Sequence, residues 1–160
     1  MTELPEFSHL DAEGAAAMVD VSQKTETHRS ATATGLVRMD ESLRQRIAEK
    51  ALPKGDVLTV AKIAGILAAK KCGELIPLCH PLPLTDIQVG LALTETGVEI
   101  TATASCVGRT GVEMEALTAV SVAALTVYDM CKSVDKGMVI EGVRLLSKTG
   151  GKSGAWHAQL

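Results

Sequence analysis

Residues 110–136, TGVEMEALTAVSVAALTVYDMCKSVDK, contain thirteen consecutive residues (116–128) without a charge. The run is too short for a membrane span, which needs roughly 18 or more apolar residues, and Thr118, Ser121 and Thr126 interrupt it. A helix that is apolar nearly all round must be covered nearly all round. The stretch therefore reads as a central helix, packed on a sheet along one side and on something else along another. Its opening, Thr110-Gly-Val-Glu113, fits a capping box, in which hydroxyl and carboxylate satisfy each other's free backbone N–H groups.

Polar groups return at both ends. Glu113 and Glu115 stand at the start, Asp129, Lys132 and Lys136 at the finish. Asp129 and Lys132 are i,i+3 neighbours on one face, and a pair of charges closing an apolar helix reads as buried and in use, since buried charges are costly unless paired. Glu115 lies fourteen positions before Asp129, about 21 Å away along a helix axis. An ordinary small-molecule site does not hold both ends of one copy. If both ends function, two copies of the chain share each site.

With 160 residues and 46% hydrophobic content, the chain can bury about two-thirds of its unfolded surface as one domain. Aromatics are only 2%, so Val, Leu, Ile, Ala and Met must build the core. A net charge of −3 argues against nucleic acid, whose partners usually carry a basic excess. An anionic substrate would need a local cluster of Lys and Arg instead. Cys72, Cys79, Cys106 and Cys131 include no CxxC pair and no zinc-ligand spacing. They read as reduced, mostly buried thiols of a cytoplasmic protein, and the N-terminal residues show neither a signal peptide nor a membrane anchor.

Along the chain, residues 1–17 read as a polar, flexible arm, and 18–160 as a single domain ending in a flexible Gly/Lys-rich tail. Met18-Val-Asp-Val-Ser22 is a short extended piece, followed by a polar run over 23–30. Residues 31–39 suit a strand. Asp40 caps a helix over 41–51 with Leu43 and Ile47 inward, and Asp56 caps a second over 57–71 in which Val60, Ala64, Leu67 and Ala68 keep helical spacing, with Gly73 as its stop. Three prolines in residues 75–84 exclude a helix or central strand there. Residues 86–95 and 98–107 form a hairpin, with Ile87, Val89 and Leu91 on one face. The central helix runs on until Gly137, and residues 138–147 supply a last strand. The order is that of a ferredoxin-like α+β sandwich, an antiparallel sheet with helices on one face. The other face is left for a partner.

Gly150-Gly-Lys-Ser153 is no P-loop, because Leu146 occupies the place of the first glycine. It reads either as a basic tail that closes on phosphate or as a solvated terminus. His80, between Cys79 and Pro81, sits in a rigid irregular segment where a structural and a functional role are both open. Lys54 alone reads as a surface lysine. Glu113 has a structural role as capping partner; Glu115 has none.

Taken together, these segments resemble the cyclic pyranopterin monophosphate synthase family (MoaC). The likeness lies in Met18-Val-Asp-Val-Ser with Lys24 and Arg29, in Lys54-Gly-Asp, Ala64-Gly-Ile and Leu75-Ile-Pro-Leu-Cys-His-Pro. It continues in Thr110-Gly-Val-Glu-Met-Glu-Ala-Leu-Thr-Ala, Tyr128-Asp-Met-Cys-Lys and Lys148-Thr-Gly-Gly-Lys-Ser-Gly. The first seventeen and last six residues carry no part of it. The resemblance implies a cytoplasmic homohexamer, a trimer of dimers with sites at the dimer interface. It implies conversion of a 3′,8-cyclised dihydro-GTP to cyclic pyranopterin monophosphate with release of diphosphate, in molybdenum cofactor biosynthesis. By position, Asp129 and Lys132 become the catalytic pair. Leu78, Cys79, His80, Met114, Glu115 and Glu113 line the substrate pocket, joined by Lys54, Arg29 and Lys148. No resident cofactor or metal site is implied; Mg²⁺ carried by the triphosphate would leave no ligand motif. The reading from another class is a non-catalytic nucleotide-binding regulator, which would need cations for phosphate but no acid/base couple.

Overall fold

A computed structural model of the chain describes residues 14–159; the first thirteen residues of the expected arm lie outside the described residues. The elements follow the order β1 (Thr27–Arg38), α1 (Glu41–Ala48), α2 (Val57–Lys70), one-turn α3 (Cys72–Leu75), β2 (Leu84–Leu93), β3 (Gly97–Gly108), α4 (Glu113–Cys131), β4 (Val139–Thr149) and β5 (Trp156–His157). The five strands form one antiparallel sheet in the order β2-β3-β1-β4-β5. This is an α+β fold, consistent with the ferredoxin-like arrangement expected.

Helix α4 is the centre, as its uncharged run requires. It is long and apolar enough by composition to cross a membrane, yet ten of its nineteen residues are buried, as in a core helix. It packs on β1 and β3 on one side and on α2 on the other. The contact with α2 uses small side chains: Ala61, Gly65, Ala68 and Ala69 are buried, as are Ala116, Ala119 and Ala123 of α4. A Cβ placed on Gly65 would come within 2.9 Å of the Ala119 carbonyl oxygen. Two helices this close leave no room for aromatic side chains between them. Fully buried Leu43, Ile100, Val37, Val98, Val120 and Val127 each contribute about 1.5–3 kcal/mol of burial.

Asp40 and Asp56 cap α1 and α2 as expected, accepting from Leu43 N at 2.8 Å and Thr59 N at 3.1 Å. Several boundaries and faces differ from the sequence expectations. Strand β1 starts at Thr27, within the polar run 23–30 and four residues before the expected strand, because Thr27–Ser30 find antiparallel partners in Gly108–Ser105 of β3, with Ser30 accepting from the Ser105 hydroxyl at 3.2 Å. Helix α1 stops at Ala48, where Lys50 turns to a positive φ of 53°. In α2 the helically spaced set divides between faces: Val60 and Leu67 are 43% and 52% exposed, Ala64 is half-buried and Ala68 is buried, and the buried face is the small-residue one. Gly73 lies inside α3 rather than ending α2, because the chain winds one further turn, with Ile76 N donating to Cys72 O.

The capping box does not form. Val112 is the N-cap of α4 and no side chain caps it; Glu113 is held instead by Lys148. Helix α4 also ends at Cys131, six residues before Gly137, where Val134 N and Asp135 N both turn back to the Cys131 carbonyl. Beyond β4 the glycine-rich turn reverses the chain, so that β5 pairs Trp156 with Lys148 and His157 with Ser147.

Candidate functional site

The start of α4 faces a segment that the prolines keep irregular. Residues 76–83 form neither helix nor strand, and the ring of His80 reaches across to the Val19 carbonyl at 2.8 Å. That bond and a second, from Arg109 Nη1 to Ser22 O at 3.0 Å, fasten the stretch before β1 over the end of the sheet. Val19 and Val21 turn inward, toward a cavity of about 360 Å³ that Leu78, Cys79, His80, Leu82, Met114 and Glu115 also line. Asp20 and Gln23 turn the other way, onto an outer basin of about 970 Å³. Lys24, Thr110, Gly111 and Glu113 border both spaces.

The two spaces differ in electrostatics. Apolar side chains and a thiol dominate the inner one, and Glu115, only 3% exposed, stands in its wall. Burial holds the Glu115 carboxyl above the ordinary glutamate range, with the nearby Glu113 charge adding to the rise. The Cys79 thiol is pushed up by burial and then by Glu115, so it lines the cavity as a neutral thiol rather than a nucleophilic thiolate. The outer basin collects Lys24, Arg29, Arg109, Lys148 and Lys152 against Asp20 and Glu113, a balance suited to a polyanion.

Two of these cations are themselves fixed. Lys148 Nζ lies 2.7 Å from Glu113 Oε1, both side chains half-buried, tying the end of β4 to the first turn of α4. Arg29 donates to the carbonyls of Gly108 and Arg109, both at 3.3 Å. Its guanidinium lies against Gly151, whose φ of +73° favours glycine.

Asp129, Lys132 and Lys54 line neither space. They form a second cluster at the far end of α4. Lys132 Nζ is 2.6 Å from Asp129 Oδ1; Lys54 Nζ is 3.0 Å from Oδ2 and 3.0 Å from the Asp129 carbonyl. The expected burial of this pair is not found. Their side chains are 56% and 54% exposed: Asp129 and Lys132 share the outward face of the helix end, whose other face buries Val127, Met130 and Cys131. Hydrogen bonds from Lys132 and then Lys54 hold the Asp129 carboxyl below the ordinary aspartate range, and Asp129 in turn raises the Lys132 ammonium. At neutral pH the pair is a carboxylate beside a cation.

The residues singled out in the sequence thus gather in two places. Leu78, Cys79, His80, Met114, Glu115, Glu113, Arg29 and Lys148 surround the start of α4; Asp129, Lys132 and Lys54 surround its end. A family model described as the MoaC family matches residues 18–151. The chain belongs to the MoaC family. Its relatives include proteins named cyclic pyranopterin monophosphate synthase from Novosphingobium aromaticivorans (60% identical, covering 96% of this chain and 98% of that protein), Rhodospirillum rubrum (58%, 95% and 93%) and Thermomicrobium roseum (55%, 98% and 95%).

For a MoaC-family chain, sequence reasoning left out several residues of the cavity and basin walls. Val19, Val21 and Leu82 were legible only as ordinary apolar positions. Lys24 and Arg109 stand in or beside the MoaC motifs, but nothing local separates a basin lysine from a surface one. Among the described residues no group of three His, Cys, Asp or Glu side chains comes together that could hold a metal ion.

Proposed function

We propose that this chain is a cyclic pyranopterin monophosphate synthase, a diphosphate-releasing phosphorus–oxygen lyase of molybdenum cofactor biosynthesis. The observation that carries the reading is the match to relatives of that name, 55–60% identical over at least 95% of this chain. The substrate is a 3′,8-cyclised dihydro-GTP, with any Mg²⁺ arriving on its triphosphate. Its heterocyclic end lies in the inner cavity against Leu78, Cys79, His80, Met114 and Glu115; its phosphates lie toward the outer basin, where Arg29 and Lys148 help offset their charge.

Two kinds of chemistry are required. Opening and reclosing the purine-derived ring moves protons at several atoms, and forming the cyclic phosphate has a sugar hydroxyl attack the phosphorus nearest the sugar while diphosphate leaves. In this reading Asp129, ionised beside its two lysines, is the base that takes the proton of such a hydroxyl. Lys132 and Lys54 supply positive charge to the leaving phosphates and a proton where one is needed. Since Glu115 and Asp129 are about 21 Å apart on one helix, each site combines the start of α4 from one subunit with its end from another.

Such a shared site requires an oligomer. Val60, Ile63 and Leu67 form an outward i, i+3, i+7 stripe on α2, 43–53% exposed, and Leu125 projects from α4 at 59%. Apolar side chains in a row on a helix favour a covering partner, and a second copy, building up to a hexamer of three dimers, is the assembly we propose. Four free cysteines fit the reducing cytoplasm.

The direct test supplies enzymatically prepared cyclised dihydro-GTP and measures diphosphate release together with the pterin product. Wild type should form both. Lys132→Ala should lose at least about a hundredfold in rate, the usual scale of a removed acid/base group. Tight binding with neither product would point to the nucleotide-binding regulator instead.

A further inference from the structure

Residues 18–24 belong to no helix or strand, yet they stand between the two spaces of the site. Val19 and Val21 are half-buried against the inner cavity, Asp20 and Gln23 are exposed on the basin side, and Lys24 borders both. The stretch is bent by two bonds of its own, from Ser22 N to Asp20 Oδ1 at 2.8 Å and from Lys24 N to Val21 O at 3.0 Å. Among the described residues, two further bonds tie it to the rest of the fold: His80 Nε2 to the Val19 carbonyl at 2.8 Å and Arg109 Nη1 to the Ser22 carbonyl at 3.0 Å. A carbonyl only accepts, so ring nitrogen and guanidinium both donate. We propose that residues 19–24 form a gate over the inner cavity and that Arg109 is its latch, a positioning residue whose guanidinium is committed to the gate rather than to substrate phosphate.

Arg109 stands in the turn between β3 and α4, and Arg29 holds that turn by donating to the Gly108 and Arg109 carbonyls, both at 3.3 Å. The latch is therefore anchored at its base and reaches the gate with its side chain alone. Its charge is already met: Nε lies 3.6 Å from Glu26 Oε1, just past the gate. Lys24 and Lys152, by contrast, line the basin with no carboxylate partner among the described residues. The fastening is also a weak one. The Arg109 and Glu26 side chains are 44% and 60% exposed, where an ion pair contributes little, and the gate itself buries Val19 and Val21 only in part. Segments held by so few contacts open at low free energy. A ligand with its ends in both spaces crosses the border at Lys24, Thr110, Gly111 and Glu113, beside the gate. It enters with the gate open and is retained with it shut. His80, the other fastening, lines the cavity itself; Arg109 does not, and so can be changed without altering the cavity wall.

This inference rests on the reading of the inner cavity as a substrate site, and its first test needs no turnover. Cys79 lines that cavity and is the one half-buried thiol of the four; Cys72, Cys106 and Cys131 are at most 1% exposed. In the full-length protein without substrate, alkylation of Cys79 by iodoacetamide at mildly alkaline pH is followed by mass spectrometry. Tryptic cleavage after Lys24 is the second reporter. Arg109→Ala should be alkylated at least about threefold faster than wild type, the shift in open population that loss of one ordinary hydrogen bond brings, with the unfolding temperature unchanged. Cleavage after Lys24 should quicken with it. Arg109→Lys keeps a long side chain with a donor and should move both rates back toward wild type. With enzymatically prepared cyclised dihydro-GTP, Arg109→Ala should raise KM more than it lowers kcat, because bound substrate draws the gate shut. Alkylation and cleavage unchanged in Arg109→Ala would overturn the proposal. So would Arg109→Lys as reactive as Arg109→Ala, or a fall in kcat at constant KM, which would make Arg109 a contact of the leaving phosphates. A wild type that releases no diphosphate would count against the proposed function and leave both gate measurements standing.

Discussion

Glu115 and Asp129 are carboxylates on the same helix with opposite fates. Asp129 stands in solvent between two lysines and is ionised easily; Glu115 is enclosed and holds its proton more tightly. The raised Glu115 value has a consequence for stability. An acid that titrates higher in the folded state favours folding when protonated. Its stabilising effect is therefore full below the ordinary glutamate pKa and is lost as pH rises through the folded value. Glu115→Gln, which cannot ionise, should unfold at a higher temperature than wild type at neutral pH, with a gain that grows upward from acid and levels off above the folded value. Thermal unfolding from pH 4 to 8 checks this; a constant offset at all pH would mean that burial does not govern Glu115. Neither fate was legible in the sequence. The charges after the uncharged run looked buried by continuity, yet Asp129 and Lys132 fall on the outward face of a turn whose other face buries Val127, Met130 and Cys131.

At the scale of elements, the sequence conveyed types and order well and faces less well. Caps at Asp40 and Asp56 and the alternation in β2 are local signals, and the structure follows them. The face of α2 is not local. Val60, Ala64, Leu67 and Ala68 keep helical spacing, but α4 selects the smaller residues because a Gly65–Ala119 contact brings the two helices closer than branched side chains permit. The hydroxyl-rich start of β1 was hidden for a related reason: polarity suggests a loop until a partner strand supplies matching hydroxyls. The closeness of the helix pair can be tested. Gly65→Ala gains about 1 kcal/mol of helix propensity, but its Cβ would meet the Ala119 carbonyl at 2.9 Å, and overpacking of this kind costs about 1–3 kcal/mol. We expect a net loss of stability in denaturant titration, and a larger loss for Gly65→Val, whose branches have nowhere to turn. A more stable Gly65→Ala would show that α2 can shift away from α4 at little cost.

At the scale of the whole molecule, the MoaC motifs made the site residues nameable, while their division between two ends of α4 followed from helix geometry alone. On the proposed shared site, assembly is part of the mechanism. A charge placed in the outward stripe of α2, as in Ile63→Glu, should give smaller species than wild type by native mass or light scattering, because a buried unpaired carboxylate opposes association. If the site is shared, loss of assembly should remove activity even though every candidate catalytic side chain remains. Mixing provides the sharper test. An Asp129→Ala chain keeps an intact start of α4 and a Glu115→Ala chain keeps an intact end, so each homo-oligomer should be inactive by a different defect. In a randomly mixed dimer, half of the assemblies pair one chain of each kind. Each of those holds one site with both residues intact and one with neither. About a quarter of wild-type activity per site should therefore return, on the premise that the sites work independently. Subunits must be exchanged by mild denaturation and mixed oligomers confirmed by mass before rates are compared. Recovery near a quarter would establish that Glu115 and Asp129 meet across the interface. No recovery in confirmed mixed oligomers would require both ends of α4 to serve separate purposes within one subunit.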